Sequence, residues 1–408
     1  MQTTLADFIR DTEQGQEAEA ILRSCVHCGF CNATCPTYQL LGDELDGPRG
    51  RIYLMKQMFE GQPVTAVTRL HLDRCLTCRN CETTCPSGVQ YGRLIDIGRD
   101  VIERLSPRPV AERLLRTGLR KGLQSPALFG SMLKLGQSVR GWLPSTLREH
   151  LPPATSNSVT PAFAGVTDKI PKRRMLVLEG CVQPAMAPET NAAAKRVLAR
   201  LGINLVAAPN AGCCGAIDQH LAAPEAAKAA MRRNIDAWWP FIQNGCEAIV
   251  MTASGCGSTV KDYGHHLRHD PVYAEKAARV SGLTRDLSEV LCDEDLSALK
   301  PAAPKRIVFH PPCSLQHGQK IRGVIESILS RTGFELLPVD ESHLCCGSAG
   351  TYSVLQPELS GQLRARKLSN LQARGPELIA SANIGCQTHL AAASNVPVVH
   401  WISLLDQD

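Results

Sequence analysis

CVHCGFCNATCP, residues Cys25 to Pro36, is written again as CLTCRNCETTCP, residues Cys75 to Pro86. Both runs have the spacing C-x2-C-x2-C-x3-C-P. Thiols set three residues apart can wrap one face of an iron-sulfur cube, while the fourth leads through proline into a helix and reaches away. Neither run closes a four-thiolate site by itself. When two such runs pair, the fourth cysteine of each ligates the other cluster. The expectation is one [4Fe-4S] cluster on Cys25, Cys28, Cys31 and Cys85, and a second on Cys75, Cys78, Cys81 and Cys35. Zinc is the rival metal, but zinc more often takes separated C-x2-C pairs.

The chain has 408 residues, of which 44% are hydrophobic, with a formal net charge of +5 and 18 cysteines. That length supports two or three domains with separate cores. The small charge excess does not argue for a nucleic-acid partner. The opening stretch, MQTTLADFIRDTEQGQEAEAIL, is polar and acidic where a secretory signal would be basic and then apolar. No apolar run is long enough for a membrane span. A soluble chain, or one at most peripheral to a membrane, is therefore expected. In a cytosolic chain the thiol pools keep cysteines reduced, so metal ligation explains so many of them better than disulfides do.

Between the runs, DELDGPRGRIYLMKQMFEG reads as a helix with Asp46 near the N-cap, Pro48 in the first turn and Gly61 as the stop. Arg49 and Arg51 are placed to face the clusters and offset their charge, or else form a solvated basic turn. Further on, Val110 to Leu143 carries Arg113, Arg116, Arg120, Lys121, Lys134 and Arg140 against one acid, Glu112. Val110, Leu114, Leu115 and Leu119 recur at helical spacing, which makes a basic amphipathic stretch that suits its own domain, a partner subunit or an anionic membrane surface. LPPATSNSVTPAFAGVTDKIPK then reads as a linker.

The remaining sequence holds a second duplication. Cys181, Cys213-Cys214-Gly215 and Cys256 are matched by Cys313, Cys345-Cys346-Gly347 and Cys386, with the same 32-position step from the lone cysteine to the pair. Short aliphatic runs such as RRMLVLEGC and KRIVFHPPC end in these cysteines. They read as strands of parallel strand-helix-strand units, with each cysteine just past a carboxyl end, where open sheets bind ligands. One site is expected on Cys181, Cys213, Cys214 and Cys256, and another on Cys313, Cys345, Cys346 and Cys386. Each suits an iron-sulfur cluster or zinc, with the spacing leaning toward iron-sulfur. Cys246 and Cys292 fit neither repeat and read as buried thiols. His310, His343 and His389 neighbour the cysteine loops as partners of sulfur rather than as metal ligands, and Trp238 reads as a core anchor.

At these residues the chain resembles the iron-sulfur subunits of flavin-linked hydroxyacid and glycerol-phosphate dehydrogenases and of heterodisulfide reductase. NIDAWWP, TASGCG, SHLCCGSAGTY and ANIGCQTHL narrow the resemblance to the iron-sulfur subunits of bacterial glycolate oxidase. The resemblance implies a mainly α-helical two-cluster ferredoxin-like domain followed by two duplicated α/β parallel-sheet CCG modules. The parts are residues 1–105, a basic helical segment and linker at 106–171, and modules at 172–300 and 301–408. It implies two [4Fe-4S] clusters, further clusters or zinc at the CCG sites, and no flavin on this chain. The implied partners are a glycolate-oxidising flavoprotein, a second flavoprotein-like subunit and a quinone, with D-lactate as an alternative substrate of the complex. This chain then passes electrons and does not itself oxidise glycolate. The alternatives are a chain that reduces quinone or disulfide at a CCG site, and a scaffold holding zinc. The family often ends each module in C-x-x-C, but Ala253 and Asn383 stand at the first of those positions here. That departure argues against a five-thiolate, disulfide-reducing centre.

Overall fold

The computed structural model describes residues 1–138, 173–299 and 305–406. They form two compact units, Met1–Leu119 with Ile217–Pro224 and His343–Lys367, and Arg120–Ala216 with Glu225–Ser342 and Leu368–Asp408.

The first unit is helical. Thr12 starts the helix Glu13–Ser24 by accepting from Gly15 N, and Thr65 and Thr68 form a reciprocal cap at the start of Ala66–Asp73. Helix Pro48–Phe59 begins with proline in its first turn, where a missing N–H costs nothing. Its buried Met55, Met58 and Phe59 join Leu22, Leu72, Leu94 and Ile102 in one core. Each such side chain contributes roughly 1.5–3 kcal/mol by leaving water. Asp46 lies next to the N-cap of this helix, Gly47, which makes no side-chain cap. The Asp46 carboxylate is drawn inward by three cationic or ring partners, Arg51, His71 and Arg74.

In the second unit two four-stranded parallel sheets repeat one topology. Strands β1 (Arg173–Leu178), β2 (Ile203–Ala207), β3 (Ile249–Met251) and β4 (Thr284–Asp286) lie in the order β2-β1-β3-β4. Strands β5 (Arg306–His310), β6 (Glu335–Leu336), β7 (Leu378–Ser381) and β8 (Val398–His400) lie in the order β6-β5-β7-β8. Pairing is parallel throughout, Val177 opposite Val250 in one sheet and Val308 opposite Ile379 in the other. Helices such as Pro188–Arg200 and Val324–Arg331 return the chain between strands, as parallel sheets require. A single apolar core joins the modules, with Val197 and Ile203 of one and Ile307, Ile328 and Trp401 of the other. The expected strands ending in cysteine loops are therefore present in both copies.

The basic stretch forms helices Val110–Gln124 and Pro126–Ser138, and no residue of the first is buried. Val110, Leu114 and Leu115 are exposed. The rest of the stretch and the expected linker lie outside the described residues. Among the described residues no helix is long and apolar enough to cross a membrane.

Candidate metal centres

The two cysteine runs fold alike because their backbones turn at matching positions. His27 and Gly29 in one run, and Thr77 and Arg79 in the other, have φ of 60°, 87°, 53° and 60°. Left-handed turns between successive cysteines curl the loop so that its thiols point inward. Three of these residues carry a Cβ, and such strain of order 1–3 kcal/mol per residue gathers at functional loops. The runs are tied to each other beside their fourth cysteines. Thr34 Oγ1 and Thr84 Oγ1 lie 3.1 Å apart, and Asn80 Nδ2 donates to the Thr34 carbonyl at 3.0 Å.

Cys25, Cys28, Cys31, Cys81 and Cys85 line one recess beside that tie. Burial, then Cys25, with Cys85 and Cys28 adding, pushes the Cys31 thiol up to about 11. In the other group burial and then Cys78, Cys75 and Cys35 push up the Cys81 thiol. Each run offers soft sulfur donors, and all 18 cysteines are free of disulfides. This donor set fits a cubane iron-sulfur cluster.

The two groups differ in their surroundings. Cys28 is exposed, whereas Cys35, Cys75 and Cys81 are all buried. The Cys75 sulfur accepts from Thr77 N at 3.4 Å and from Tyr91 Oη at 3.7 Å. Thr37 Oγ1 lies 3.3 Å from Cys35 Sγ. Arg49 lines the recess of the first group but is spent on a surface ion pair with Glu44 at 2.6 Å.

In the first CCG module the second unit assembles Cys181, Cys213, Cys214 and Cys256 from three strand-end loops. The neighbouring Cys181 and Cys214 push the Cys213 thiol down, while Cys213 and burial push both of them up. Cys256 sits against Cys214. Four soft sulfur donors at the strand ends suit a metal centre. The pair is clamped from behind: Asn234 Nδ2 and Arg233 Nη2 each donate to the Cys213 carbonyl at 3.0 Å, and Tyr263 Oη donates to that of Cys214 at 2.8 Å. Gly215 follows at φ 92°, where a Cβ would stand 3.1 Å from the Ala227 carbonyl oxygen. Asn234 was visible only as part of NIDAWWP, and nothing in the sequence pointed to Tyr263.

The cysteines of the second module are divided. Cys345 and Cys346 belong to the first unit, and Cys313 and Cys386 to the second. In the first unit Gly347 N donates to Cys345 Sγ at 3.4 Å, and the segment is moored by Asn80 Nδ2 on the His343 carbonyl at 3.3 Å and Tyr352 Oη on the Arg74 carbonyl at 3.2 Å. In the second unit a ring nitrogen of the buried His310 lies within 4.8 Å of Cys386 Sγ. Asn383 Nδ2 donates to that sulfur at 3.6 Å, and its Oδ1 accepts from Gly255 N of the first module at 3.1 Å. The residue in place of a family cysteine thus bridges the modules. Cys246 is buried as expected, Cys292 only half so, and Trp238 is fully buried.

Known proteins share this layout. The 4Fe-4S dicluster domain family matches residues 21–89, and the cysteine-rich CCG domain family matches 175–261 and 307–391. The glycolate oxidase iron-sulfur subunit of Escherichia coli (strain K12) is 55% identical over 408 residues, 100% of this chain and 99% of its own. Lactate utilization protein A of Bacillus licheniformis is 27% identical over 50% of this chain and 85% of its own. Among solved structures, an aspartate racemase homologue from Pyrococcus horikoshii OT3 aligns with 58% of this chain and 96% of its own at 13% identity and a TM-score of 0.23, too slight a likeness to build on. Full-length identity to the Escherichia coli protein, carried by a dicluster region and two CCG modules, places the chain in the family of glycolate oxidase iron-sulfur subunits.

Proposed function

We propose that this chain conducts electrons within a glycolate-oxidising complex, from the reduced flavin of a partner subunit to a membrane quinone. Glycolate is oxidised to glyoxylate on the flavoprotein, with D-lactate as a second substrate and a second flavoprotein-like subunit completing the assembly. One [4Fe-4S] cluster is held by Cys25, Cys28, Cys31 and Cys85, and the other by Cys75, Cys78, Cys81 and Cys35. When bound, such clusters take up and release single electrons. The chain's own residues hold the sulfurs, bury them and direct donors at them. Cys181, Cys213, Cys214 and Cys256 form a further metal centre, and Cys313, Cys345, Cys346 and Cys386 are its counterpart by repeat. The chain works at the cytoplasmic face of the inner membrane.

The observation that carries this reading is the crosswise grouping, in which Cys31 feels Cys85 and Cys81 feels Cys35. Anaerobic purification with iron and zinc analysis, together with EPR on adding glycolate to the whole complex, tests it. The expected result is iron beyond two cubanes and two N-terminal signals that appear with glycolate. Cys35→Ser should then disturb the signal of the Cys75 run and Cys85→Ser that of the Cys25 run. Glycolate oxidation by the isolated chain, or no N-terminal signal on adding glycolate to the complex, would overturn it, and zinc in place of the excess iron would assign the CCG sites to zinc.

A further inference from the structure

The two cysteine runs are near copies, yet among the described residues the buried Arg51 stands behind Cys35 and Cys75, while the arginine beside the other run, Arg49, is at the surface. Arg51 is 1% exposed. Both its terminal nitrogens donate to Thr37 Oγ1 at 3.2 Å, and its Nε donates to the His71 carbonyl at 2.7 Å. The Thr37 hydroxyl lies 2.8 Å from the Asp46 carbonyl and 3.3 Å from Cys35 Sγ.

Asp46 does not cancel the charge. Its carboxylate is 2.8 Å from Arg74 and 3.1 Å from the His71 ring, but 3.4 Å from Arg51. One carboxylate faces two guanidinium groups, so the set keeps a net positive charge. Burial works against the Arg51 charge, yet Tyr91, Cys75, Cys35 and Asp46 together hold the guanidinium protonated. The corresponding cation near the other run, Arg49, is neutralised by Glu44 and its side chain is 36% exposed. Solvent screens that pair, whereas Arg51 is shut away from solvent.

We propose that Arg51, whose buried guanidinium Thr37 and the His71 carbonyl hold behind Cys35, is a positioning residue that raises the reduction potential of the cluster on Cys75, Cys78, Cys81 and Cys35. Reduction adds one negative charge to a cluster. A fixed buried cation and hydrogen bonding at its sulfurs favour the reduced form. Arg51 gives this cluster a bias that the other lacks, so electrons entering the pair are held there. The proposal rests on the cluster assignment above. The unmodified chain showing two cubane EPR signals tests that assignment and is read before any variant.

The experiment is an EPR-monitored redox titration of the anaerobically purified full chain and its variants, with iron content measured alongside. Arg51→Met is expected to lower one of the two N-terminal midpoints by a tenfold change in reduced-to-oxidised ratio, about 59 mV for one electron, and to leave the other in place. Thr37→Val lowers the same midpoint by a smaller step, and Arg51→Lys restores most of it. Arg49→Gln leaves that midpoint unmoved. If Arg51→Met shifts neither midpoint, or both equally, the proposal is overturned. If Arg51→Met does not fold, an unmoved midpoint in Thr37→Val overturns it equally.

Discussion

The Arg108 guanidinium grips the Asp73 carboxylate through two hydrogen bonds, 2.6 Å from Nη1 and 2.8 Å from Nη2, with the arginine side chain only 2% exposed. Glu103 and Glu112 also reach the same guanidinium. This knot fastens the end of helix Ala66–Asp73, just before the second cysteine run, to the chain that leaves the cluster region.

Burial opposes the Asp73 charge, but the Arg108 bonds, with Arg116 and Arg99, overcome it and hold the carboxyl below its ordinary value. A carboxyl depressed in the folded state contributes stability at pH values above its unfolded pKa and loses it as pH falls through the folded one. Asp73→Asn should cost about 3 kcal/mol at neutral pH, because it leaves a buried cation short of its best partner. Chemical denaturation at pH 7 checks this, and the deficit should shrink below pH 4.

His400 carries a different pH signature. It is fully buried, which pushes its pKa down to about 4. Its Nδ1 accepts from Ile402 N, so Nε2 carries the proton donated to the Thr252 carbonyl at 2.9 Å. The unfolded chain takes up a proton near pH 6.5 that the folded chain refuses until about 4. Stability is thus complete above 6.5 and declines by roughly 3 kcal/mol as pH falls across that window. Denaturation curves at pH 7 and pH 5 should differ accordingly in the native protein, and His400→Gln should remove most of the difference.

The glycines of the two CCG triplets should differ in tolerance. Gly347 has φ 90°, and a Cβ there would lie 2.6 Å from the Ser360 carbonyl oxygen and 3.0 Å from Leu363 Cβ. At Gly215 the nearest backbone atom would be 3.1 Å away. Gly347→Ala should lower stability by about 2 kcal/mol or more, and Gly215→Ala by about 1 kcal/mol. Thermal melting of the two variants gives the order.

Asn383 should matter more to structure than its place outside the thiol sets suggests. Asn383→Ala removes the acceptor of Gly255 N and the donor to Cys386 Sγ. We expect a loss of about 1–2 kcal/mol, read in the same melts. Asn383→Cys would restore the C-x-x-C pattern yet keep this deficit, since a thiol accepts a hydrogen bond weakly.

Spacing along the chain was enough to pick out the cysteine runs and the strand-end cysteines, because three thiols within seven residues, or a cysteine after a strand, are local features of the chain. The duplicated sheets were legible for the same reason, in aliphatic runs at matching offsets. Asp46 stands next to the helix N-cap, as its place in the sequence suggests, but its carboxylate turns to Arg51, His71 and Arg74, partners that no local rule names. What only the tertiary structure decided is the environment of each group: Thr37, Asp46, Arg51 and His71 behind one run, Asn234 and Tyr263 behind Cys213-Cys214, and Asn383 across two modules. These partners lie far apart in sequence and meet by packing, so no motif announces them. Two runs written almost alike therefore acquire unlike surroundings, one open to solvent and the other backed by a buried cation.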